Sequence, residues 1–200
     1  MLKFFLLPVF AYLLGSIPWG LVLTRVFTSK DIRQHGSGNI GATNVRRVAG
    51  STLGALTLAG DVLKGAIPVG LALRIACPGS SVWADVFISL VALCAFGGHL
   101  YPIYLKFKDG GKGVATAAGA FFVISPAAGG VVILVFILFV CWWERASAGS
   151  LAAAAVLPVA IWKVTDSAVI TGCAAVTALF IYIRHKDNIK RLWDGTESTL

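Results

Sequence analysis

Long apolar runs alternate along the chain with short polar segments rich in glycine and basic residues. A bilayer core asks for roughly 20 apolar residues per helix, fewer where a span is irregular. Seven runs approach that demand: 4–27, 52–76, 82–98, 113–124, 127–143, 151–164 and 168–183. The fourth is short and meets the fifth across Ser125-Pro126. Proline opens a helix well and interrupts one badly, so 113–143 reads either as two spans or as one kinked or re-entrant element. The pattern predicts an all-α integral membrane protein of about seven transmembrane helices, a single polytopic unit over 1–200. It contains no internal repeat or low-complexity segment.

The polar segments then orient it. Arg25, Lys30, Arg33, Arg46, Arg47, Lys106, Lys108, Lys112, Arg145, Arg184, Lys186, Lys190 and Arg191 flank one set of connections, and only Lys3, Arg74 and Lys163 flank the other. The positive-inside rule puts the first set in the cytoplasm, the N-terminus outside and the C-terminus inside. The outer connections, around 77–81, 125–126 and 165–167, are tight and nearly without functional groups. The first run carries Lys3 but continues to Phe27 with no Ala-x-Ala-like site near its end, so it reads as a span and not a cleaved signal.

Composition agrees: 58% of the residues are hydrophobic and 13% charged, against roughly a quarter charged in soluble domains. The net charge of +8 does not point to nucleic acid, because the cations sit between apolar runs instead of on one soluble face. That placement fits anionic headgroups and phosphorylated substrates. Cys77, Cys94, Cys141 and Cys173 lie apart without a Cys-x-x-Cys pair, and read as small buried apolar residues with no metal or disulfide role.

Candidate chemistry gathers in the inner connections. The first reads His35-Gly36-Ser37-Gly38-Asn39-Ile40-Gly41-Ala42-Thr43-Asn44-Val45-Arg46-Arg47. Its glycines match the dinucleotide G-x-G-x-x-G spacing, but that motif belongs after a strand in a βαβ unit. Its physics survives the change of context. Glycines let backbone amides approach an anion, while Ser37, Asn39, Thr43, Asn44 and Arg47 add donors. The alternative is a flexible polar connector.

The third connection ends in Gly110-Gly111-Lys112-Gly113 at a predicted helix start, a ready phosphate site. It is not a Walker A loop: Lys106 stands at the first glycine and Gly113 at the magnesium-binding hydroxyl. Lys112 binds a monophosphate-like group or snorkels to headgroups, and His99 reads as a satisfied interfacial histidine. In the fifth connection Ser150 is the expected helix cap. After the last run, His185 and Asn188 share a face if the helix continues, and could orient or deprotonate a hydroxyl; otherwise this is a basic juxtamembrane tail. Asp61 and Lys64, inside the second span, should face protein and pair at i, i+3 as scaffolding.

Taken together, Ser37-Gly38-Asn39-Ile40-Gly41-Ala42-Thr43-Asn44-Val45-x-Arg47, Gly110-Gly111-Lys112-Gly113-Val114-Ala115-Thr116 and His185-x-x-Asn188-Ile189-x-Arg191-Leu192 resemble the bacterial membrane acyltransferases that use acyl phosphate to acylate glycerol 3-phosphate. Leu14-Gly15-Ser16-Ile17-Pro18-x-Gly20 and Asp61-x-x-Lys64-Gly65 extend the match from about residue 11 to Glu197. The resemblance implies a seven-helix enzyme of the bacterial cytoplasmic (inner) membrane, with its active site on the cytoplasmic side. It would make 1-acyl-sn-glycerol 3-phosphate and inorganic phosphate with no cofactor or metal. A peripheral enzyme that makes acyl phosphate is a candidate partner. Ser37, Arg47, His185 and Asn188 would be catalytic, with His185 and Asn188 serving the glycerol 3-phosphate end. Gly38, Asn39, Thr43, Asn44, Gly110, Gly111, Lys112, Gly113 and Ser150 would bind substrate phosphate. A transporter of a small phosphorylated solute is the alternative, resting on the midplane Asp61–Lys64 pair. A lipid-phosphate phosphatase is a third, disfavoured by three scattered histidines.

Overall fold

Ten α-helices and two short 3-10 turns account for most of residues 2–76 and 79–200, which the computed structural model describes. The helices are α1 (Leu2–Gly15), α2 (Trp19–Phe27), α3 (Ala42–Ala49), α4 (Ser51–Ile75), α5 (Val82–Leu100), α6 (Val114–Ile124), α7 (Pro126–Trp143), α8 (Ala146–Thr165), α9 (Ala168–Arg184) and α10 (Lys186–Trp193).

The first expected span is two helices, not one. Pro18 has no N–H and disfavours a helical conformation at Ile17, so the chain bends by 44° between α1 and α2. The carbonyl of Ile17, freed by the break, accepts a 2.9 Å hydrogen bond from Lys64 Nζ. The last span bends too, by 60° at His185 between α9 and α10. Ser125 separates α6 from α7: its hydroxyl accepts from the Ala128 amide, and Pro126 opens α7. Gly129 lies against the backbone of Phe122, so α6 and α7 fold back on one another. The 113–143 region is therefore two helices. The third helix, α3, lies inside a connection and went unpredicted.

By length and composition α4, α5, α7 and α8 can each cross a membrane, and the two bent pairs raise the count to six; α6, at 11 residues, is shorter. The surface matches that solvent. In α7 only 11% of the apolar window is buried, so its Leu, Ile, Val and Phe side chains face outward. Helix contact relies on small residues, as lipid-embedded bundles require. Gly15 and Gly98 sit on main-chain atoms across the α1–α5 crossing, and Gly65 and Gly119 do so across α4–α6; a Cβ at any of them would overlap a carbonyl oxygen.

Asp61 and Lys64 pair at 2.8 Å in the interior, as expected of charges on one face of α4. At the end of the bundle away from the glycine loops, Asp85 accepts from the Gly79 amide at 2.9 Å and the Ser167 hydroxyl at 2.6 Å, tying two connections together. Of the cysteines, Cys173 is buried and Cys94 half-buried, but Cys141 faces outward on α7, because that helix has so little protein around it. Cys77 lies outside the described residues.

Candidate active site

The first connection is held by one buried side chain. Asn44, on the first turns of α3, donates to the carbonyls of Ile32, His35 and Asn39 at 2.9–3.1 Å and accepts from the Ser37 amide at 2.9 Å. Its amide is thus engaged with the loop itself. Asn39 makes a local turn, accepting from the Gly41 amide at 2.9 Å. Gly36 and Gly38 have φ of 60° and 69°, left-handed conformations that glycine adopts without strain. Ser37 is exposed on this loop, with Thr43 and Arg47 one turn apart on α3. The Arg47 guanidinium donates to the carbonyls of Ser198 and Thr199 at 3.2 and 2.7 Å.

The third connection brings Gly110–Gly113 to the start of α6. Gly110, Gly111 and Gly113 lie so close to Leu100, His99 and Phe96 that none has room for a Cβ. Arg184 grips the loop from the opposite side, donating to the Gly110 carbonyl at 2.6 Å and the Gly111 carbonyl at 3.2 Å. With those oxygens occupied and Gly113 capping α6, the amides of the first turn of α6 are the groups without intrahelical partners. Lys112 donates from this loop to Asn188 Oδ1 on α10. Burial, opposed by Glu197 but aided by Arg191, brings the Lys112 ammonium down to about 8.

The C-terminal segment closes the cluster. Asn188 Nδ2 donates to Glu197 Oε1 at 2.6 Å, the Ser147 hydroxyl donates to the same oxygen at 2.6 Å, and Arg191 Nε donates to Oε2 at 2.6 Å. Arg145 Nε reaches the Glu197 main-chain oxygen at 3.0 Å. Burial alone would raise the Glu197 carboxyl, but these hydrogen bonds and the Arg191 charge hold it below the usual carboxylate range. His185, at the bend between α9 and α10, is 2% exposed, and its Nδ1 lies 2.8 Å from the Ile181 carbonyl oxygen. A carbonyl only accepts, so Nδ1 carries the hydrogen and Nε2 is left as an acceptor. Burial and the Lys112 cation push the imidazole down to about 4, so it is neutral near pH 7.

Two expectations are corrected. Ser150 does not cap α8; that helix starts at Ala146, and the Ser150 hydroxyl bonds back to the Ala146 carbonyl at 2.8 Å. Ser147, one turn earlier, is the hydroxyl that meets the cluster. His99 is not satisfied as an interfacial residue: it is buried in the last turn of α5, and its Nδ1 has no hydrogen-bond partner. The sequence reading also assigned no role to Glu197, Arg184 or Ser147. For Glu197 a signal existed, a single glutamate closing a segment that carries Arg184, Lys186, Lys190 and Arg191.

Lys112, His185 and Asn188 are therefore brought together, while Ser37, Thr43 and Arg47 form a second group. The C-terminal strap that Arg47 holds connects the two, as does an Arg33–Asp109 ion pair at 3.5 Å. Among the described residues no three His, Cys, Asp or Glu side chains come together as a ligand set for a metal. Apart from the Glu197 carboxylate, whose oxygens are occupied by Ser147, Asn188 and Arg191, the groups on offer are cations, amides, hydroxyls and one neutral imidazole, which suit binding of phosphate oxygens and acceptance of a proton.

Known proteins share this chain's sequence and arrangement of helices. A family model described as "Glycerol-3-phosphate acyltransferase" matches residues 5–195. The glycerol-3-phosphate acyltransferase of Syntrophotalea carbinolica is 48% identical over 198 residues, covering 99% of this chain and 98% of that protein. That of Geobacter metallireducens is 48% identical over 188 residues, covering 94% and 93%. A crystal structure of PlsY (YgiH), an integral membrane glycerol 3-phosphate acyltransferase, in its glycerol 3-phosphate form superposes with a TM-score of 0.92 at 34% identity, covering 99% of this chain and 96% of that one. Its lysophosphatidic acid form superposes with a TM-score of 0.88, covering 99% and 95%. Matched along its whole length in sequence and in helix arrangement, this chain belongs to the glycerol-3-phosphate acyltransferase family.

Proposed function

We propose that this membrane acyltransferase moves a fatty acyl group from acyl phosphate to the sn-1 hydroxyl of glycerol 3-phosphate, releasing 1-acyl-sn-glycerol 3-phosphate and inorganic phosphate. This is the first step of phospholipid synthesis. The observation that carries the reading is the convergence at one end of the bundle of Arg47, Lys112 and a glycine loop opening α6. Two phosphate-bearing substrates need two such anion sites side by side.

The hydroxyl oxygen forms a bond to the acyl carbon, the bond from that carbon to the phosphate oxygen breaks, and phosphate leaves with the electron pair. An acyl phosphate is a mixed anhydride with a good leaving group, so positioning and charge stabilisation suffice, with no cofactor. Lys112 and the α6 amides hold one phosphate, with Gly110, Gly111 and Gly113 giving the loop its close approach. Arg47, Ser37, Thr43 and the Gly38–Asn39 turn serve the other, and Asn44 keeps that turn in shape. Asn188 orients Lys112, and His185 Nε2 or a substrate phosphate oxygen takes the hydroxyl proton. Ser150 supports this end of α8 from behind Ser147.

The same reading makes the chain one polytopic unit of seven spans, with α1 and α2 together as the first, α6 as a short one and α9 as the last. The N-terminus lies outside, and the site faces the cytoplasm from the bacterial inner membrane, where a peripheral enzyme supplying acyl phosphate can reach it. Of the three functional classes weighed, transport loses its support because Asp61 and Lys64 are enclosed by protein and bond to Ile17 and to each other. Purified protein in lipid, given palmitoyl phosphate and glycerol 3-phosphate, is expected to yield lysophosphatidate and phosphate in equal amounts. Phosphate without lysophosphatidate, or no turnover, overturns the proposal.

A further inference from the structure

Three ionisable side chains lie where a lipid-embedded bundle should have none. Asp61, Lys64 and His99 are 3%, 2% and 4% exposed, and each buried charge needs a partner to be tolerated. The Asp61 Oδ1 atom receives both neighbours: Lys64 Nζ at 2.8 Å and His99 Nδ1 at 3.6 Å. Lys64 also donates to the Ile17 carbonyl at the break between α1 and α2. The cluster therefore joins α4, α5 and the first bend.

Its far side reaches the glycine loop. The Gly111 amide donates to the His99 main-chain oxygen at 3.1 Å. The His99 ring fills the space a Gly111 side chain would need, with Nε2, Cε1 and Cδ2 the atoms in the way. His99 thus faces Asp61 across 3.6 Å on one side and stands directly under Gly111 on the other. Two further close approaches, Gly65 on the Thr116 carbonyl and Gly119 on the Val62 carbonyl, seat α6 against the same helix that carries Asp61 and Lys64.

We infer that Asp61, Lys64 and His99 are positioning residues for phosphate binding: a charged prop, anchored at the α1–α2 break, that sets the height of Gly111 and aims the α6 amides and Lys112 at the substrate. The inference rests on the reading of Gly110–Gly113 as a phosphate loop. None of the three side chains touches substrate. Their effect passes through the ring of His99 and the backbone of Gly111. A buried ion pair with an imidazole beside it serves this purpose better than packing alone, because moving any one member leaves a charge or dipole unpaired in a dry interior. The loop is therefore held in one place before substrate arrives, which lowers the cost of organising it at binding.

The test uses full-length protein reconstituted in lipid, with KM measured for both substrates together with kcat, and thermal unfolding followed in parallel. Gly111→Ala collides with the His99 ring and is expected to raise one KM at least about tenfold. His99→Asn keeps a polar atom facing Asp61 but lacks Nε2 and Cε1. It is expected to raise the same KM about three- to tenfold, with kcat within about threefold and unfolding temperature near that of the parent. The double variant has room for the new methyl group, so its KM is expected to fall back to that of His99→Asn alone. Asp61→Asn, which leaves the ring in place but removes its anchor, is expected to shift the same KM in the same direction. A double variant no better than Gly111→Ala, or His99→Asn with parental KM values, overturns the inference. Should His99→Asn fail to accumulate, Asp61→Asn decides by the same split between KM and kcat. Absence of turnover in the parent protein would instead strike the functional reading beneath it.

Discussion

Asn188 donates to Glu197 Oε1 at 2.6 Å, and its other end accepts from Lys112, so one amide links a carboxylate in the C-terminal strap to a cation in the glycine loop. An amide suits this position because it presents a donor to the anion and an acceptor to the cation. The aspartate alternative would accept at both ends, and a leucine would satisfy neither.

Glu197 is therefore expected to govern stability as well as activity. Glu197→Ala leaves the Ser147 hydroxyl, the Asn188 amide and the Arg191 guanidinium without their shared acceptor, a loss of about 1.5–3 kcal/mol for hydrogen bonds to a charged group. Thermal unfolding in detergent should show the drop. Its pH sign follows from a carboxyl held below its ordinary range: the stabilisation is complete above that range and disappears as pH falls through the lowered native value. The variant should lose that acid-sensitive component.

Lys112→Ala should cut turnover at least about 100-fold, the scale of losing one electrostatic group in a dry site. With its ammonium at about 8 in the substrate-free enzyme, kcat/KM should fall as pH rises through about 8. Substrate phosphates titrate near 6, below that limb. Lys112→Arg stays charged over the whole range, so its residual activity should show no decline near 8. A parental profile flat to pH 9.5 would remove Lys112 from the site.

Arg47 presents a contrast between two changes. Arg47→Ala should reduce kcat/KM at least about 100-fold by the same electrostatic argument. Deleting residues 198–200 removes the carbonyls to which Arg47 donates and frees its guanidinium, so if Arg47 binds substrate phosphate as proposed, KM for one substrate should fall. Steady-state assays on the two variants should move in opposite directions.

His185 should act as a neutral acceptor. Its imidazole is protonated only below about 4, so the ratio of parental to His185→Asn activity should stay constant from pH 5 to 7 and shrink below that. Taking the ratio cancels titration of the substrates. A ratio that changes around 6.5 would mean an imidazole that gains its proton in the working range, unfit for this role.

Much of the site was readable because its chemistry is local. Gly110, Gly111, Lys112 and Gly113 are contiguous, and a helix start after glycines has the same free amides wherever it sits. The pairing of Asp61 with Lys64 was readable for the same reason, since residues three apart on a helix are neighbours. Ser150 was misread because a hydroxyl near a helix start can cap it or bond back one turn, and the choice depends on where the first turn begins. Pro18 marks the α1–α2 break in the sequence, but the long apolar run around it argues for a continuous span.

What the sequence by itself determined was the apolar solvent, the helical class and which contiguous glycine and basic segments make up the candidate site, since apolar run length and contiguous motifs are one-dimensional properties. Glu197, Arg184 and Ser147 entered the site only through the fold, across separations of 50 residues between Ser147 and Glu197 and 74 between Gly110 and Arg184. Nothing in the local sequence distinguishes Arg184 or Ser147 from any interfacial arginine or serine, and the basic segment around Glu197 marks that glutamate without naming its partners. Their roles come from the packing of helices that brings the ends of α5, α6, α8 and α9 to one place, and packing is a property of two helices at once.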